Sequence, residues 1–453
     1  MPHMPLAAIS LSEVEITRFF FAIVALMGMA HFVGSLFARL KMPRVIGEIA
    51  GGLILGPTVL GAIAPGAYDW IFNGFAGEDK LLAMASEFGL VLLMFMSGME
   101  IKARFAREDR KVAFPLLAGA TLLPFIVGAA APRVFDFEPY MGPNGNLSSL
   151  TIIIGIAVAI TSIPVISKIF LDLGIMHTRF ARICLTVATV EDIALWGLLA
   201  VAISLSKSAD PSVFEIVKTP VITLVFFIVA MVVIPRLLNG ICRTPARNVV
   251  ENRPVRLALL TCFGMVAVSE LLGVKEMFGA LLAGMAMTRL PHDVVEVVRT
   301  KVKAFALVFF TPIYFAIVGL KLDLLKSFDP LFFLGFFLFC CVVKSLATAV
   351  AGRITTGDWL STANLAAALN TRGGPGIVLA SVAFDAGIID ERFFITMVLT
   401  AVVTSLFAGV WFRHVLSQGW PLLRVRGEAL PERDDAALAP VTPLPTRTKE
   451  PVR

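Results

Sequence analysis

The feature that most limits how this chain can fold is a succession of apolar stretches, each about as long as a membrane is thick. A helix needs about 20 mostly apolar residues to cross the hydrocarbon core of a bilayer. Thirteen stretches meet or approach that length, and they lie at 16–38, 45–64, 81–99, 112–131, 149–171, 180–204, 214–238, 254–272, 276–290, 304–321, 329–351, 359–384 and 393–415. Only 16% of the 453 residues are charged, against roughly 25% in soluble domains. The sequence therefore predicts an all-α polytopic membrane protein with about 13 transmembrane helices.

The basic residues of the loops predict how this protein is oriented. Loops that follow the odd-numbered spans carry twenty-one lysines and arginines, whereas the segments on the opposite side carry nine. Cytoplasmic loops are enriched in Lys and Arg, so we expect residues 1–15 outside and the C-terminus in the cytoplasm of a multi-pass plasma (inner) membrane protein. The first apolar run is too long for a cleaved signal peptide, and its positive charges follow it.

Two of the spans are interrupted by residues that disfavour a helix interior. Pro164 stands in the fifth span, and Gly373, Gly374 and Pro375 stand in the twelfth. Proline removes a backbone donor, and glycine adds backbone entropy. Each interruption falls in the fifth span of a unit of six. Interruptions at matching positions indicate an inverted-repeat transporter, so we predict repeat one at about 16–204, a linker helix at 214–238 and repeat two at 254–415.

Adjacent carboxylates, Glu191 and Asp192, lie in the middle of the sixth span. An ionisable residue inside a membrane span is a functional hypothesis by default, although such a pair can also be purely structural. Neighbouring residues point about 100° apart on a helix. We therefore take Asp192 as the primary ligand for a transported monovalent cation and for protons, while Glu191 either shares the cavity or faces a partner. Thr161 and Ser162 could supply further oxygens, or simply repair the break at Pro164.

Two basic residues, Lys344 and Arg372, lie inside spans and cannot be loop anchors. Lys344 is the expected counter-charge to the carboxylates, or it neutralises the carbonyl ends of broken half-helices. Arg372 stays charged at any relevant pH and so cannot carry protons. It pairs either with a carboxylate or with half-helix carbonyls, and the sequence leaves both roles open.

The remaining residues, 416–453, have mixed charge, several prolines and no apolar periodicity. They predict a flexible cytoplasmic tail, without a nucleotide-binding motif. The five cysteines show no spacing typical of a disulfide framework or a metal centre. We expect no cofactor and no nucleic-acid partner.

Several motifs together resemble the monovalent cation/proton antiporter superfamily, in its Kef-type branch, over about residues 15 to 415. They are Pro43 to Glu48, Gly89 to Ile101, the TSIPV sequence at 161–165, Glu191-Asp192, Phe278 to Gly284, Thr311 to Asp323, Lys344 and Thr371 to Gly374.

The resemblance implies two crossing, unwound helices, a homodimer, and alternating access in which a core bundle moves against a scaffold. Asp192 matches the essential aspartate of that family, and Lys344 matches its lysine in the eleventh span. Relatives usually carry Asp, Asn or Gln before the aspartate, whereas this chain carries Glu191. Kef relatives with a cytoplasmic nucleotide-binding domain differ from this chain, so gating of that type is not expected.

The leading functional hypothesis is proton-driven exchange of Na⁺ or K⁺. The alternative is a sodium- or proton-coupled transporter of a small organic solute on the same scaffold, which needs a larger polar cavity. An enzyme is not expected, because the spans show no nucleophile–base set and no metal ligands. A channel is disfavoured because two broken helices around one titratable site suit alternating access.

Overall fold

The computed structural model describes residues 12–40, 42–75, 77–100, 109–206, 213–243 and 253–424. Most of the predicted N-terminal segment and residues 425–453 of the predicted tail lie outside these ranges. So do several basic loop residues in the orientation argument, among them Lys41, Lys102, Arg104, Arg107 and Arg247.

The described residues form an all-helical protein. Its α-helices are α1 (Glu13–Arg39), α2 (Arg44–Leu55), α3 (Pro65–Phe72), α4 (Glu78–Glu100), α5 (Arg110–Leu117), α6 (Leu123–Ala130), α7 (Leu147–Ala159), α8 (Ile163–Asp172), α9 (Arg179–Ser206), α10 (Val213–Arg243), α11 (Arg253–Leu271), α12 (Glu276–Met287), α13 (His292–Phe305), α14 (Thr311–Leu320), α15 (Pro330–Thr356), α16 (Trp359–Leu369), α17 (Gly373–Asp385) and α18 (Glu391–Ser417). Single π-helical turns at Ala118–Leu122 and Ala306–Phe310 join α5 to α6 and α13 to α14.

Eleven helical stretches among the described residues are long and apolar enough to cross a membrane. Two shorter apolar helices, α12 and α17, add to them. The predicted all-α membrane protein is therefore confirmed. The count of thirteen spans and the inverted repeat stay predictions, because a short helix and a broken one do not meet a length criterion by themselves.

The helices pack in two groups. α1, α2, α4, α11, α12 and α14 pack on one another, while α5 to α9 and α15 to α18 form the second group. α10, which includes the whole predicted linker, contacts α9 of the second group and α12 of the first. The first group, which we call the scaffold group, comes from residues 13–100 and 253–320. The second, the core group, comes from 110–206 and 330–417.

Close packing in the scaffold group depends on glycines at the contact between α2 and α14. A side chain at Gly52 would meet the carbonyl oxygen of Ala316, and one at Gly319 would meet that of Ile49. Small residues let membrane helices approach this closely, and dispersion then stabilises the contact. Helices α2 and α14 of the scaffold group are thus held backbone to backbone.

Candidate functional site

Both interrupted spans are broken into two half-helices. α7 ends at Ala159 and α8 begins at Ile163, so that Ile160, Thr161 and Ser162 are not helical. In the second break α16 ends at Leu369 and α17 begins at Gly373. The sequence predicted breaks at Pro164 and at Gly373, Gly374 and Pro375. Both spans are broken, but these four residues are themselves helical.

These four residues lie in the first turns of α8 and α17, immediately after each break. Proline lacks an N–H, so it cannot bond back to the preceding turn, yet it fits the start of a helix where that donor is not needed. Gly373 adopts a φ of 39°, which only glycine tolerates easily. The proline and glycine thus start the second half-helices. Ile160 and Ser162, before the first of them, have extended backbone, whereas Arg372, before the second, does not.

The two broken segments contact each other directly. The backbone N–H of Ser162 donates to the carbonyl oxygen of Thr371 at 2.6 Å, and the Thr161 hydroxyl donates to that of Leu369, also at 2.6 Å. The Ser162 hydroxyl caps α8 by accepting from the N–H of Val165 at 3.4 Å. The breaks therefore cross at hydrogen-bonding distance, and part of their unpaired backbone is satisfied by the other break.

Arg372 is buried at this crossing and donates only to oxygens that carry no full charge. Its guanidinium bonds the carbonyl oxygens of Ala157 at 3.0 Å, Val158 at 3.2 Å and Cys340 at 3.0 Å. It also donates to the carbonyl and side-chain oxygens of Asn370. Within the described residues no carboxylate pairs with it. Of the two roles left open by the sequence, the structure therefore shows the one with half-helix carbonyls.

Lys344, on α15, is completely buried and donates hydrogen bonds to a carbonyl, a hydroxyl and a carboxylate oxygen. Its ammonium donates to the carbonyl oxygen of Ala159, to the hydroxyl oxygen of Thr161 at 2.6 Å and to Glu191 Oε1 at 3.2 Å. It thus combines the two roles considered for it, since it bonds the last carbonyl of α7 and neutralises a carboxylate.

Glu191 has a second partner that sequence reasoning missed. The Thr121 hydroxyl, in the π turn between α5 and α6, donates to Glu191 Oε2 at 2.8 Å. Both side chains are buried. The only signal in the sequence is a hydroxyl residue in the fourth apolar stretch, and threonine is too common in membrane helices for that signal to single it out.

Asp192, unlike Glu191, accepts no hydrogen bond from the described residues. Its side chain is 0% exposed, and neither carboxylate oxygen has a hydrogen-bond partner among the described residues. Glu191 and Lys344 are its electrostatic neighbours. Buried polar groups without partners are rare, and each one in a native structure needs an explanation.

The beginning of α9, which carries both carboxylates, is anchored by a charged contact outside the apolar span. Asp109 Oδ1 and Oδ2 accept from Arg179 Nε at 2.9 Å and Arg182 Nε at 2.6 Å. Burial alone would raise the pKa of Asp109, but the two guanidinium groups outweigh it and hold the pKa below its usual value. The carboxylate therefore stays ionised at neutral pH and ties α9 to the start of α5.

The amino-acid sequence matches a known protein family. The family model described as sodium/hydrogen exchanger, transmembrane, matches residues 22–418. The chain belongs to the sodium/hydrogen exchanger family. The predicted relationship to cation/proton antiporters is thereby confirmed, and the family is one of transporters.

Two relatives in this family match nearly their whole length. The Na⁺/H⁺ antiporter NhaS4 of Synechocystis is 28% identical over 399 residues, which cover 85% of this chain and 93% of the relative. The Na⁺/H⁺-K⁺ antiporter GerN of Bacillus cereus is 28% identical over 396 residues, covering 86% and 94%. The first is named for sodium, and the second for both sodium and potassium.

A solved structure confirms the fold of the exchanger. The sodium proton antiporter MjNhaP1 from Methanocaldococcus jannaschii superposes with a TM-score of 0.63 and 12% sequence identity, covering 89% of this chain and 99% of that structure. An identity this low supports the fold, whereas the roles of Asp192, Glu191 and Lys344 stay predictions from their chemistry.

Proposed function

We propose that this protein exchanges a monovalent cation, Na⁺ or K⁺, for protons, and that Asp192 binds the cation and the proton in turn. The observation that carries the proposal is the buried Asp192 carboxylate with two unpartnered oxygens. A single negative charge can be neutralised by one monovalent cation or by one proton, but not by both. Competition for one carboxylate is therefore sufficient for exchange.

The neighbouring charges support this assignment. Lys344 is paired with Glu191 at 3.2 Å, so this neighbouring ammonium is already neutralised. An unpaired carboxylate in an apolar medium is costly, and a dehydrated cation or a proton removes that cost. Asp192 is therefore the group whose charge the transported ion would complete.

Thr161 and Ser162 are proposed as additional cation ligands. The Thr161 oxygen donates to Leu369 and accepts from Lys344, and the Ser162 oxygen accepts from Val165. A hydroxyl oxygen has two acceptor positions, so each retains one for a cation. Both residues lie at the crossing, where small shifts of the half-helices would move their oxygens.

We also propose a transport motion, a membrane orientation and an oligomeric state for the exchanger. Alternating access would move the core group against the scaffold group, with the N-terminus outside the plasma membrane and the C-terminus in the cytoplasm, in a homodimer. The separation into two packed groups supports this motion, because Glu191, Asp192, Lys344, Arg372 and both breaks belong to the core group. The organic-solute alternative is not favoured by the family relationship.

The test measures proton movement in liposomes that contain the purified protein and a pH-sensitive dye. Na⁺, K⁺ and Li⁺ are added separately, with choline as the control for osmotic and ionic effects. We expect the wild-type protein to exchange protons for Na⁺ or K⁺, and the Asp192→Asn variant to lose this activity while keeping a wild-type melting temperature. The amide neither binds protons in this range nor neutralises a cation.

Robust exchange by the folded Asp192→Asn variant would contradict the proposed role of Asp192. Exchange driven by an organic solute, with no response to the three metal cations, would favour the alternative function.

A further inference from the structure

Thr121 lies in a part of the fourth apolar stretch that contacts both α9 and α15. The π turn Ala118–Leu122 contains both Thr121 and Gly119. Thr121 faces Glu191 of α9, whereas a side chain at Gly119 would meet Ala347 and Ala351 of α15, the helix that carries Lys344. The turn therefore lies between the elements that position the Glu191–Lys344 pair.

The π geometry of this turn determines which of its residues face α15 and which face α9. A turn with one additional residue shifts the residues that follow by about one position, which is roughly 100° around the helix. Single π turns are frequent at functional sites. The turn presents a small residue to α15 and a hydroxyl to α9 within three positions.

The hydrogen bonds around Glu191 and Lys344 leave no donor for Asp192. Glu191 Oε1 accepts from Lys344, and Oε2 accepts from Thr121. An ammonium has three donors, and those of Lys344 are used by Ala159, Thr161 and Glu191. Lys344 thus has no donor left for the neighbouring aspartate.

We infer that Thr121 is a positioning residue for exchange: its hydroxyl holds the Glu191 carboxylate against Lys344, which keeps Lys344 away from Asp192 and leaves Asp192 open to the transported cation. The inference rests on the proposed function of Asp192. It adds that access of the cation depends on a hydroxyl which does not contact the ion.

Removing this hydroxyl should change cation affinity more than turnover. In the Thr121→Val variant Oε2 loses its partner and the carboxylate can rotate, so the ammonium of Lys344 is less well neutralised. It then turns toward the other carboxylate within reach, Asp192, and competes with the cation. A hydrogen bond to a charged group is strong enough for about a tenfold change in an equilibrium constant.

The experiment measures initial exchange rates in liposomes over a range of cation concentrations. We expect Thr121→Val to raise the apparent KM for the cation about tenfold with a maximal rate close to that of the wild type. Thr121→Ser keeps a hydroxyl and should restore the wild-type KM. Thr121→Cys has a weak donor, so its KM should lie between those of the serine and valine variants. It replaces the valine variant in the test if that variant does not fold.

Thr223→Val is the matched control. Thr223 lies on α10, is buried, and its hydroxyl has no hydrogen-bond partner in the described part of the chain. The control makes the same isosteric change and should leave KM unchanged. A general effect of buried threonine would alter the control as well.

A folded, active Thr121→Val or Thr121→Cys variant with wild-type KM would overturn the inference, as would equal effects of serine and valine. These outcomes leave the proposed function intact. Failure of the proposed function is separate, because it appears as absent cation-dependent proton movement in the wild type or as retained exchange in Asp192→Asn. In that case the inference about Thr121 falls with it.

Discussion

Two buried cations bond the end of the same half-helix, and they are held in different ways. Arg372 accounts for the carbonyl oxygens of Ala157 and Val158, and Lys344 for that of Ala159. Arg372 completes its bonds with backbone carbonyls and the Asn370 side chain. Lys344 completes its bonds with a hydroxyl and a carboxylate, each on a side chain that can rotate.

The difference separates a structural region from a region that can change during transport. The guanidinium is planar and offers five donors in fixed directions, so its contacts break only if the half-helices themselves move. Two of the three partners of the ammonium are side chains, whose rotation requires no backbone motion. We therefore expect the Arg372 region to determine stability, and the region of Lys344, Glu191 and Asp192 to determine transport.

The largest expected loss of stability comes from Arg372→Met. Four carbonyl oxygens and the Asn370 side chain lose a donor in this variant, and a buried unsatisfied acceptor costs about 1–3 kcal/mol. The helix-end carbonyls of α7 have no intrahelical alternative. We expect little folded protein, measured by size-exclusion chromatography and thermal unfolding in detergent.

Arg372→Lys sharpens this test, because it keeps the charge but offers three donors instead of five. It should lower the melting temperature while the surviving protein keeps the wild-type cation KM. A large change in KM at unchanged stability would show that Arg372 takes part in the transport cycle, contrary to the comparison drawn above.

Glu191→Gln should have a smaller effect on stability, of about 3–5 kcal/mol, because it leaves the Lys344 charge buried without a counter-charge. The measurement is the melting temperature together with exchange at different membrane potentials. The double variant Glu191→Gln/Lys344→Met leaves no charge buried alone and should recover part of the lost stability. Recovery is incomplete because the Ala159 carbonyl and the Thr161 hydroxyl lose the donor that Lys344 supplies.

If Glu191 instead shares the ion cavity with Asp192, Glu191→Gln would keep normal stability and continue to exchange cations, but it would lose its sensitivity to membrane potential. A variant with normal stability, activity and voltage response would contradict both descriptions of Glu191.

The smallest effect is expected at the C-terminal end, where the structure corrects the predicted boundary of the tail. Residues 416–417 still belong to α18, and the carbonyl oxygens of Pro421 and Leu422 accept from the Asn364 side chain on α16. The N–H of Arg424 also donates to the Ser361 hydroxyl. The segment 421–424 therefore packs on the half-helix that ends at the crossing, and the flexible tail does not begin at 416.

Truncation after Arg424 should leave exchange and melting temperature unchanged. Truncation after Val415 should lower stability by about 1–3 kcal/mol, because it strands the buried Asn364 amide. The two truncated proteins are compared by thermal unfolding and by exchange rate. Faster or slower exchange at unchanged stability after the longer truncation would indicate that this end of α16 controls transport.

Much of the fold and part of the site were predictable from local sequence. Lengths of apolar runs follow directly from the thickness of the bilayer, which is why the all-α membrane fold was predicted correctly. Pro164 and Gly373 marked both broken spans because their backbone chemistry is local. The exact bounds of each break were missed, since proline and glycine disfavour the residues before them and are themselves tolerated at a helix start.

The partners of the buried charges could not be obtained in this way. The sequence presented Lys344 and Arg372 as two cations with interchangeable options, and it gave no sign that Thr121 bonds Glu191 across 70 positions of the chain. These contacts join α9, α15, the carbonyl end of α7 and the π turn after α5. Their distances depend on how these elements pack, and hydrophobic periodicity carries no information about that packing.

By itself, the sequence determined that this chain must span a membrane as helices, that two spans must break, and that charged groups inside the spans need partners. These conclusions follow from the cost of unsatisfied polar groups in hydrocarbon, which acts at each position independently. The tertiary structure decided which carboxylate is paired and which is left open. That choice depends on a few ångströms between helices distant in sequence, and it leaves both Asp192 oxygens without a hydrogen-bond partner among the described residues.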